Sequence, residues 1–429
     1  MRYPYDAQEW KWRENCTQES NMGHYQLICP ACKTEFTGYT LSCHCSTLLR
    51  TVYPKPLEPR SLYGLWRFLD WLPCKTPLDT KAGSITYKSH GLAKELGLKN
   101  LYLSFTGYWP ERNAQNLTGS FKDLESNPTV AWARENGVNA LTIASAGNTA
   151  RAFGHIANQV GFDVYLLVPE SYLDMLWTPE PPTENIHLLA VTGDYFETIE
   201  IANEFCETKG IQNEGGAKNV ARRDGMGTVM LDAAFTMKRM PNHYFQAIGS
   251  GTGAIACWEM ASRLQNHGWD GNPILHLSQN DPFVPIYNAW NAGRRQVLPE
   301  DMLNAEERIK NMHAVVLSNR NPPYSVGGGV YDALSDTHGN VYSISNTEAR
   351  EAGKLFIALE EIDILPAAEV AVASLIQAVE YNNVSKNDYI LLNVTGGGLN
   401  RIKEDFGFHR IEPEGYIRDS TQQLDSIIT

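Results

Sequence analysis

The sequence contains no long apolar run and no excess of basic residues. Nothing approaches the roughly 18 consecutive apolar residues of a membrane-spanning helix, so we expect none. The formal net charge of −13 disfavours nucleic acid or an anionic membrane as a partner, and we expect neither. Residues 1–20 are polar and aromatic without an apolar core, which argues against an export signal. These absences favour a cytoplasmic protein.

The chain is long enough for two domains, each with its own core. Its 429 residues are 43% hydrophobic and 20% charged, as in an ordinary globular protein. Beyond residue 59, short apolar runs such as 186–191 and 389–394 alternate with helical patterns such as 149–159 and 225–238. This alternation predicts the α/β class, with parallel strands covered by helices.

Four of the eight cysteines lie close together, as Cys29-x-x-Cys32 and Cys43-x-Cys45. Two closely spaced pairs can form a tetrahedral thiolate site, and we predict zinc. The Cys-x-Cys spacing departs from a typical zinc ribbon. A degenerate ribbon that folds by packing and a redox-active dithiol therefore remain alternatives. The other cysteines are predicted to be isolated structural thiols: Cys16, Cys74, Cys206 and Cys257.

Lys122 follows a Gly-Ser turn and precedes a helical stretch. A lysine amine can form a Schiff base with an aldehyde cofactor and afterwards act as a base. A single lysine at a helix start is ordinarily a solvated surface residue. The glycine-rich turns further along the chain are what favour a catalytic role for Lys122.

The first of these turns, residues 145–149, lies between an apolar strand and a helix. The N–H groups and hydroxyls of such a turn bind anions. We predict that Ser145, Gly147 and Thr149 bind a substrate carboxylate and that Asn148 contacts the cofactor ring. The alternative is a simple helix cap.

The second turn is predicted to bind the cofactor phosphate through Gly249, Ser250, Gly251, Thr252 and Gly253. Its spacing also resembles a dinucleotide fingerprint. That alternative lacks the acidic residue expected about 20 positions further on, because the next strand ends in Ser278-Gln279.

The third turn places Thr395 directly after the last apolar strand. If the aldehyde cofactor is built on a pyridine ring, a hydroxyl suits a ring nitrogen that stays uncharged, whereas a carboxylate would keep that nitrogen protonated. This choice favours elimination or replacement at the β- or γ-carbon over transamination. A reactive amine, a carboxylate site and a phosphate site together predict pyridoxal 5'-phosphate as the cofactor.

Basic residues are concentrated between residues 213 and 224, where Lys218, Arg222 and Arg223 lie. Such a cluster is ordinarily a solvated face. In an acidic chain, basic residues between glycines can instead bind an anionic leaving group or nucleophile. We predict that these three residues and Arg151 bind the substrate anions.

The chain is similar to the fold-type II pyridoxal-phosphate enzymes, which are tryptophan synthase β-like, and specifically to the threonine synthase group. The resemblance covers residues 25–410 and rests on residues 120–123, 145–149, 249–253 and 347–372. It departs from that group at Leu124-Glu125, where Arg-Gly is usual, and at Arg151, where a small residue is usual. Three strings resemble the cysteate synthases, which make cysteate for coenzyme M: residues 108–112, 216–227, and 322–325 with 327–329.

This resemblance implies two open twisted sheet domains with the active site between them, and a homo-oligomer. The expected boundaries are 1–59 for an N-terminal extension, cysteine module and linker, 60–123 plus 241–429 for a large domain, and 124–240 for a small domain. The implied reaction is β-replacement, in which O-phosphoserine and sulfite give L-cysteate and phosphate. The alternatives are a threonine synthase acting on O-phosphohomoserine and water, and a non-catalytic binding protein on the same fold.

Overall fold

The computed structural model describes residues 24–145 and 147–418. The predicted N-terminal extension up to residue 23, with Cys16, lies outside this part of the chain. The strands are β1 Gln26–Ile28, β2 Glu35–Phe36, β3 Arg50–Val52, β4 Ile85–Lys88, β5 Asn100–Phe105, β6 Tyr108–Trp109, β7 Ala114–Gln115, β8 Ala140–Ala144, β9 Asp163–Pro169, β10 Trp177–Thr178, β11 Ile186–Val191, β12 Gln212–Asn213, β13 His243–Ala247, β14 Ile274–Asn280, β15 Asn340–Ile344, β16 Tyr389–Val394, β17 His409–Arg410 and β18 Gly415–Ile417. The α-helices are α1 Gly91–Glu95, α2 Asp123–Glu135, α3 Asn148–Val160, α4 Tyr195–Lys209, α5 Val220–Met237, α6 Thr252–Asn266, α7 Pro285–Asn291, α8 Ala305–Lys310, α9 Val330–Asp336, α10 Asn346–Glu360, α11 Pro366–Glu380 and α12 Leu399–Asp405.

Two mainly parallel sheets form the body of the molecule. Six strands pair in the order β15-β14-β13-β16-β5-β4, and only β4 runs antiparallel to its neighbour. Five strands pair in the order β12-β8-β9-β11-β18, all parallel. The α/β class is therefore confirmed. The division at residues 123/124 and 240/241 stays a prediction, and β18 joins the five-stranded sheet from near the C-terminus.

The central strands are apolar along their whole length because helices cover them. In β16, for example, every residue after Tyr389 is buried, as expected for a parallel strand packed on both faces. Helix α11 packs against β13, β14 and β16. Within the part of the chain described, no helix combines the length and apolar character needed to cross a membrane.

Helix α5 begins five residues earlier than the sequence pattern predicts. The predicted start was Gly225, whereas the helix starts at Val220 because the Asn219 side chain caps it, accepting a hydrogen bond from the Arg222 N–H at 3.1 Å. Gly225 lies inside the helix. A Cβ atom added there would lie 2.0 Å from the Leu124 carbonyl oxygen, so glycine allows α5 and α2 to pack closely together.

The cysteine-bearing module is an antiparallel sheet in the order β2-β1-β3. Its third strand is joined to α5 and α6 by buried polar contacts around Asp224. The Asp224 carboxylate accepts hydrogen bonds from the hydroxyls of Thr51 (2.6 Å) and Tyr53 (2.8 Å) and pairs with the Arg263 guanidinium at 3.0 Å. Both charged groups are buried, so the attraction between them has to offset the cost of removing each charge from water.

We predict that Asp224→Asn lowers the free energy of unfolding by about 3–5 kcal/mol, because it leaves the Arg263 charge buried without its partner. Asp70→Asn is the matched control, since Asp70 pairs with Arg60 on the surface and such a pair contributes less than about 1 kcal/mol. Urea unfolding of both variants measures the difference. Equal losses would contradict this account of how the module is attached.

Candidate active site

A cavity of about 670 Å³ lies at the carboxyl ends of strands from both sheets. Residues that follow β8, β12, β13 and β16 line it. In parallel α/β sheets, ligands bind outside the carboxyl ends of the strands. The three glycine-rich turns predicted from the sequence thus meet around one cavity.

Lys122 lies at the start of α2 and lines this cavity. Its side chain is 22% exposed, and its Nζ lies 3.0 Å from Oε2 of Glu125, which is fully buried. Burial lowers the pKa of Lys122, while the Glu125 carboxylate acts to raise it. A lowered pKa favours the neutral amine, which is the form that acts as a nucleophile and as a base.

The turn after β13 forms a cradle at the N-terminus of α6, a helix of 15 residues. The hydroxyls of Ser250 and Thr252 lie 2.9 Å apart at this end. Gly251 has a φ of +81°, and an added Cβ would lie 2.4 Å from the Val330 side chain, so the backbone here requires glycine. The first amides of a helix have no partner within it, and with two hydroxyls they fit a phosphate group.

The turn after β8 leads into α3. The Ser145 hydroxyl accepts hydrogen bonds from the N–H groups of Gly147 (3.2 Å) and Ala150 (3.1 Å), which fixes the start of the helix. Asn148 and Thr149 line the cavity beside them. The side-chain oxygen of Asn148 accepts a hydrogen bond from Arg151 Nη2 at 2.9 Å, which orients this side chain at the cavity wall.

Thr395 also lines the cavity, and its backbone is tied to the turn that carries Lys122. The Thr395 carbonyl accepts a hydrogen bond from the Phe121 N–H at 3.1 Å. Ser120 and Gly396 pair as an isolated β-bridge beside it. These backbone contacts join the segment that carries the lysine to the segment that carries the threonine.

The four basic residues predicted to bind substrate anions fall into two pairs. Lys218 and Arg222 line the cavity. Arg151 and Arg223 are absent from its lining: Arg151 is buried behind the first turn, where it donates to the Asn148 side chain at 2.9 Å. Burial lowers the pKa of Arg151 to about 10, and nearby Asp123 opposes this.

Arg223 is buried and forms its contacts within the protein interior. It pairs with Glu259 at 2.9 Å and donates to the backbone carbonyls of Leu49 and Ala217. A solvated face was the alternative for this basic cluster. It is wrong for Arg222 and Arg223, which are 7% and 1% exposed. Both guanidinium groups form ion pairs with buried carboxylates, because a buried guanidinium needs a charged partner.

Two buried carboxylates at the site were not predicted from the sequence. Glu125 pairs with Lys122 and with Arg222 Nη2 (3.0 Å), and Glu214 pairs with Arg222 Nη1 (2.7 Å). The position of Glu125 three residues after Lys122, in the predicted helical stretch, is a signal that could have identified it. Nothing in the sequence relates Glu214 to Lys122.

The cysteine module also contributes to the cavity wall. Leu41 and Ser42, just before Cys43, line the cavity together with Leu48. The Leu41 side chain lies 2.8 Å from the place where a Cβ on Gly215 would be, so it packs directly on the loop before α5.

The four clustered thiols converge on one point. The Sγ atoms of Cys29, Cys32, Cys43 and Cys45 all lie within 4.8 Å of one another. Cys32 and Cys43 are 3.5 Å apart. A tetrahedral zinc–thiolate site separates its sulfurs by roughly 3.8 Å, so the thiol geometry fits zinc. Of the four predicted isolated thiols, Cys74 and Cys257 are buried and Cys206 is half-buried.

Comparison with known proteins gives the family. Residues 75–396 match the model of the family "Pyridoxal-phosphate dependent enzyme". The fold resembles maize serine racemase (TM-score 0.55, 16% identity, 75% of this chain and 90% of that one). It also resembles a tomato threonine deaminase (TM-score 0.56, 17% identity, 82% and 98%). At these identities the likeness concerns the fold alone.

Relatives with far higher sequence identity show which group of pyridoxal-phosphate-dependent enzymes the chain belongs to. The cysteate synthase of Methanosarcina acetivorans is 53% identical over 95% of this chain and 100% of its own length. That of Methanoculleus marisnigri is 53% identical over 92% and 93%. The chain belongs to the pyridoxal-phosphate-dependent enzymes of fold type II, and within them to the cysteate synthase family. Its cofactor is pyridoxal 5'-phosphate, which the lysine, the phosphate cradle and the cavity fit.

We predict that the purified protein carries one zinc ion per chain and that Cys43→Ser removes it, because loss of one thiolate opens the tetrahedral site. Metal analysis of both proteins measures this. Cys257→Ser is the control, since Cys257 is buried away from the cluster and should leave the zinc content unchanged. A folded wild-type protein free of zinc would instead favour a ribbon that folds by packing, or a redox-active dithiol.

Proposed function

We propose that the protein catalyses β-replacement on O-phosphoserine, with sulfite as nucleophile and L-cysteate and phosphate as products. The observation that carries the proposal is the cavity, which combines Lys122 with two anion-binding turns and a cationic wall. The 53% identity to a cysteate synthase over almost the whole chain supports this choice of substrates.

The cofactor supplies an aldehyde for attachment and, once bound, an electron sink for a negative charge at the substrate α-carbon. Lys122 is the residue that would bond to the aldehyde. The Gly249–Gly253 turn would hold the cofactor phosphate, with the hydroxyls of Ser250 and Thr252 among its donors. Asn148 and Thr395 would contact the ring.

The chain's own residues perform the proton transfers. Ser145, Gly147 and Thr149 orient the substrate carboxylate, and the neutral Lys122 amine takes the α-proton. Phosphate then leaves with the electron pair of its bond to the β-carbon. Sulfite forms the new C–S bond with its sulfur lone pair, and the Lys122 ammonium returns the proton to the α-carbon. Apolar side chains from the cysteine module shield these steps from water.

Lys218 is the cation best placed to bind the phosphate or sulfite oxyanion. It lies at the cavity wall, exposed, and forms no ion pair with any other residue the structure describes. Arg222 lines the same wall but is shared between Glu125 and Glu214. Because those two carboxylates offset the charges of Arg222 and Lys122, Lys218 contributes the remaining positive charge.

We also propose a small domain of residues 124–240 that closes over bound substrate, a homo-oligomeric state, and a cytoplasmic location. The unpaired thiols among the described residues suit a reducing compartment. Zinc at the cysteine cluster is proposed to keep Leu41 and Ser42 in the cavity wall.

We predict that the cofactor-loaded protein forms cysteate and phosphate in equal amounts from O-phosphoserine and sulfite. Lys122→Ala should lower this rate by a factor of at least about 10²–10⁴, since it removes the base. Both products are quantified in the same reaction. Phosphate and pyruvate without cysteate would contradict sulfite as nucleophile. Release of phosphate from O-phosphohomoserine alone would favour a threonine synthase, and no release from either would favour a binding protein.

We predict that Lys218→Met raises KM for O-phosphoserine or sulfite about tenfold, as expected for loss of one charge-assisted contact to an oxyanion. Steady-state kinetics with each substrate varied in turn identifies which anion it binds. Lys354→Met, on the exposed face of α10, makes the same charge change away from the cavity and should leave both KM values unchanged. Equal effects of the two substitutions would reduce the role of Lys218 to general electrostatic attraction.

A further inference from the structure

Glu125 lies behind Lys122 in a position that lets it act on the amine without reaching the cavity. Its carboxylate is fully buried and does not line the cavity. One oxygen, Oε2, lies 3.0 Å from Lys122 Nζ and also 3.0 Å from Arg222 Nη2. Lys122 is the N-cap residue of α2 and Glu125 lies in the first turn, three residues further on, so the helix start brings the two side chains close together.

Two features hold the Glu125 carboxylate in place. Arg222 fixes it from α5, and the close packing of α5 on α2 at Gly225 keeps the two helices in register. The second oxygen, Oε1, has no hydrogen-bond partner among the residues that the structure describes. A single oxygen of the buried carboxylate, Oε2, therefore accepts the contacts of both the Lys122 amine and the Arg222 guanidinium.

We propose that Glu125 is the positioning residue of Lys122: it holds the Lys122 amine whenever that amine is not bonded to the cofactor, and it stabilises the protonated form. The inference rests on the proposed role of Lys122 as the base. In that reaction the amine takes the α-proton and must keep it until the nucleophile has added. An ion pair with Glu125 retains the proton on Nζ and holds it at the cavity wall for its return to the α-carbon.

The charged groups that face Lys122 come from three parts of the chain. Glu125 lies on α2, Arg222 on α5, and Glu214 on the loop after β12. Tyr195, at the start of α4, is half-buried at the cavity wall and lies near Arg222 and both carboxylates. Glu125 is the one of these that contacts Nζ directly, so its charge should dominate the protonation of the lysine.

The rate at which the apo-protein bonds to pyridoxal 5'-phosphate tests the proposal, because only the neutral amine attacks the aldehyde. At saturating cofactor, this first-order step should rise with pH and level off above the pKa of Lys122. Glu125→Gln keeps the shape and removes the charge, so the protonated amine loses stabilisation and the midpoint falls. We expect a shift of about one pH unit or more, which makes bonding about tenfold faster below the wild-type midpoint.

Glu214→Gln is the matched control. It removes the same charge from the same partner, Arg222, without a contact to Lys122, so its midpoint should lie near that of the wild type. An unchanged midpoint in Glu125→Gln would overturn the proposal. Equal shifts in both variants would overturn it as well, because the net charge of the cluster, and not the contact, would then set the protonation of Lys122.

If Glu125→Gln does not fold, Glu125→Asp replaces it. Aspartate keeps a charge for Arg222 but is one methylene shorter, so the contact to Nζ lengthens and the midpoint should still fall. A wild-type midpoint in this variant would overturn the proposal. The readout uses the cofactor alone, so it remains valid if O-phosphoserine and sulfite prove not to be the substrates.

Discussion

The buried ion pair between Glu125 and Arg222 is the interaction on which the arrangement of the site depends. Two charges removed from water cost several kcal/mol unless their geometry is good, so helices α2 and α5 are held in the one position that pairs them. Gly225 permits that position by letting the helices approach closely. Lys122, at the start of α2, is oriented towards the cavity as a consequence.

Around this pair, the site combines separate elements that are each proposed to bind an anion. The turn before α6 and the turn before α3 present helix N-termini to the same cavity from the six-stranded and the five-stranded sheet. In the proposed reaction the turn before α6 holds the cofactor phosphate and the turn before α3 holds the substrate carboxylate. The phosphate of the substrate therefore needs a further cation, and Lys218 at the cavity wall is placed for that. The cysteine module completes the wall with Leu41 and Ser42, so the structure of the thiol cluster bears directly on the shape of the cavity.

Much of the fold could be predicted because its signals are local. The strands at 186–191 and 389–394 were predicted with the bounds that the structure has, since apolar runs between polar residues define buried parallel strands. The glycine-rich turns followed from their positions after such strands. The start of α5 was predicted five residues late, because the Asn219 side chain caps the helix ahead of the basic residues, and close packing against α2 explains Gly225 inside it.

The partners of the charged residues could not be predicted, because they depend on contacts between distant parts of the chain. Arg222 and Arg223 are adjacent in sequence, yet one faces the cavity and the other pairs with Glu259 in the interior. The central claim is that Lys122 bears the cofactor. Reduction of the loaded protein with borohydride makes that bond permanent, and mass spectrometry of its peptides then locates it. The account predicts the modification on Lys122, and a modification on any other lysine would contradict it.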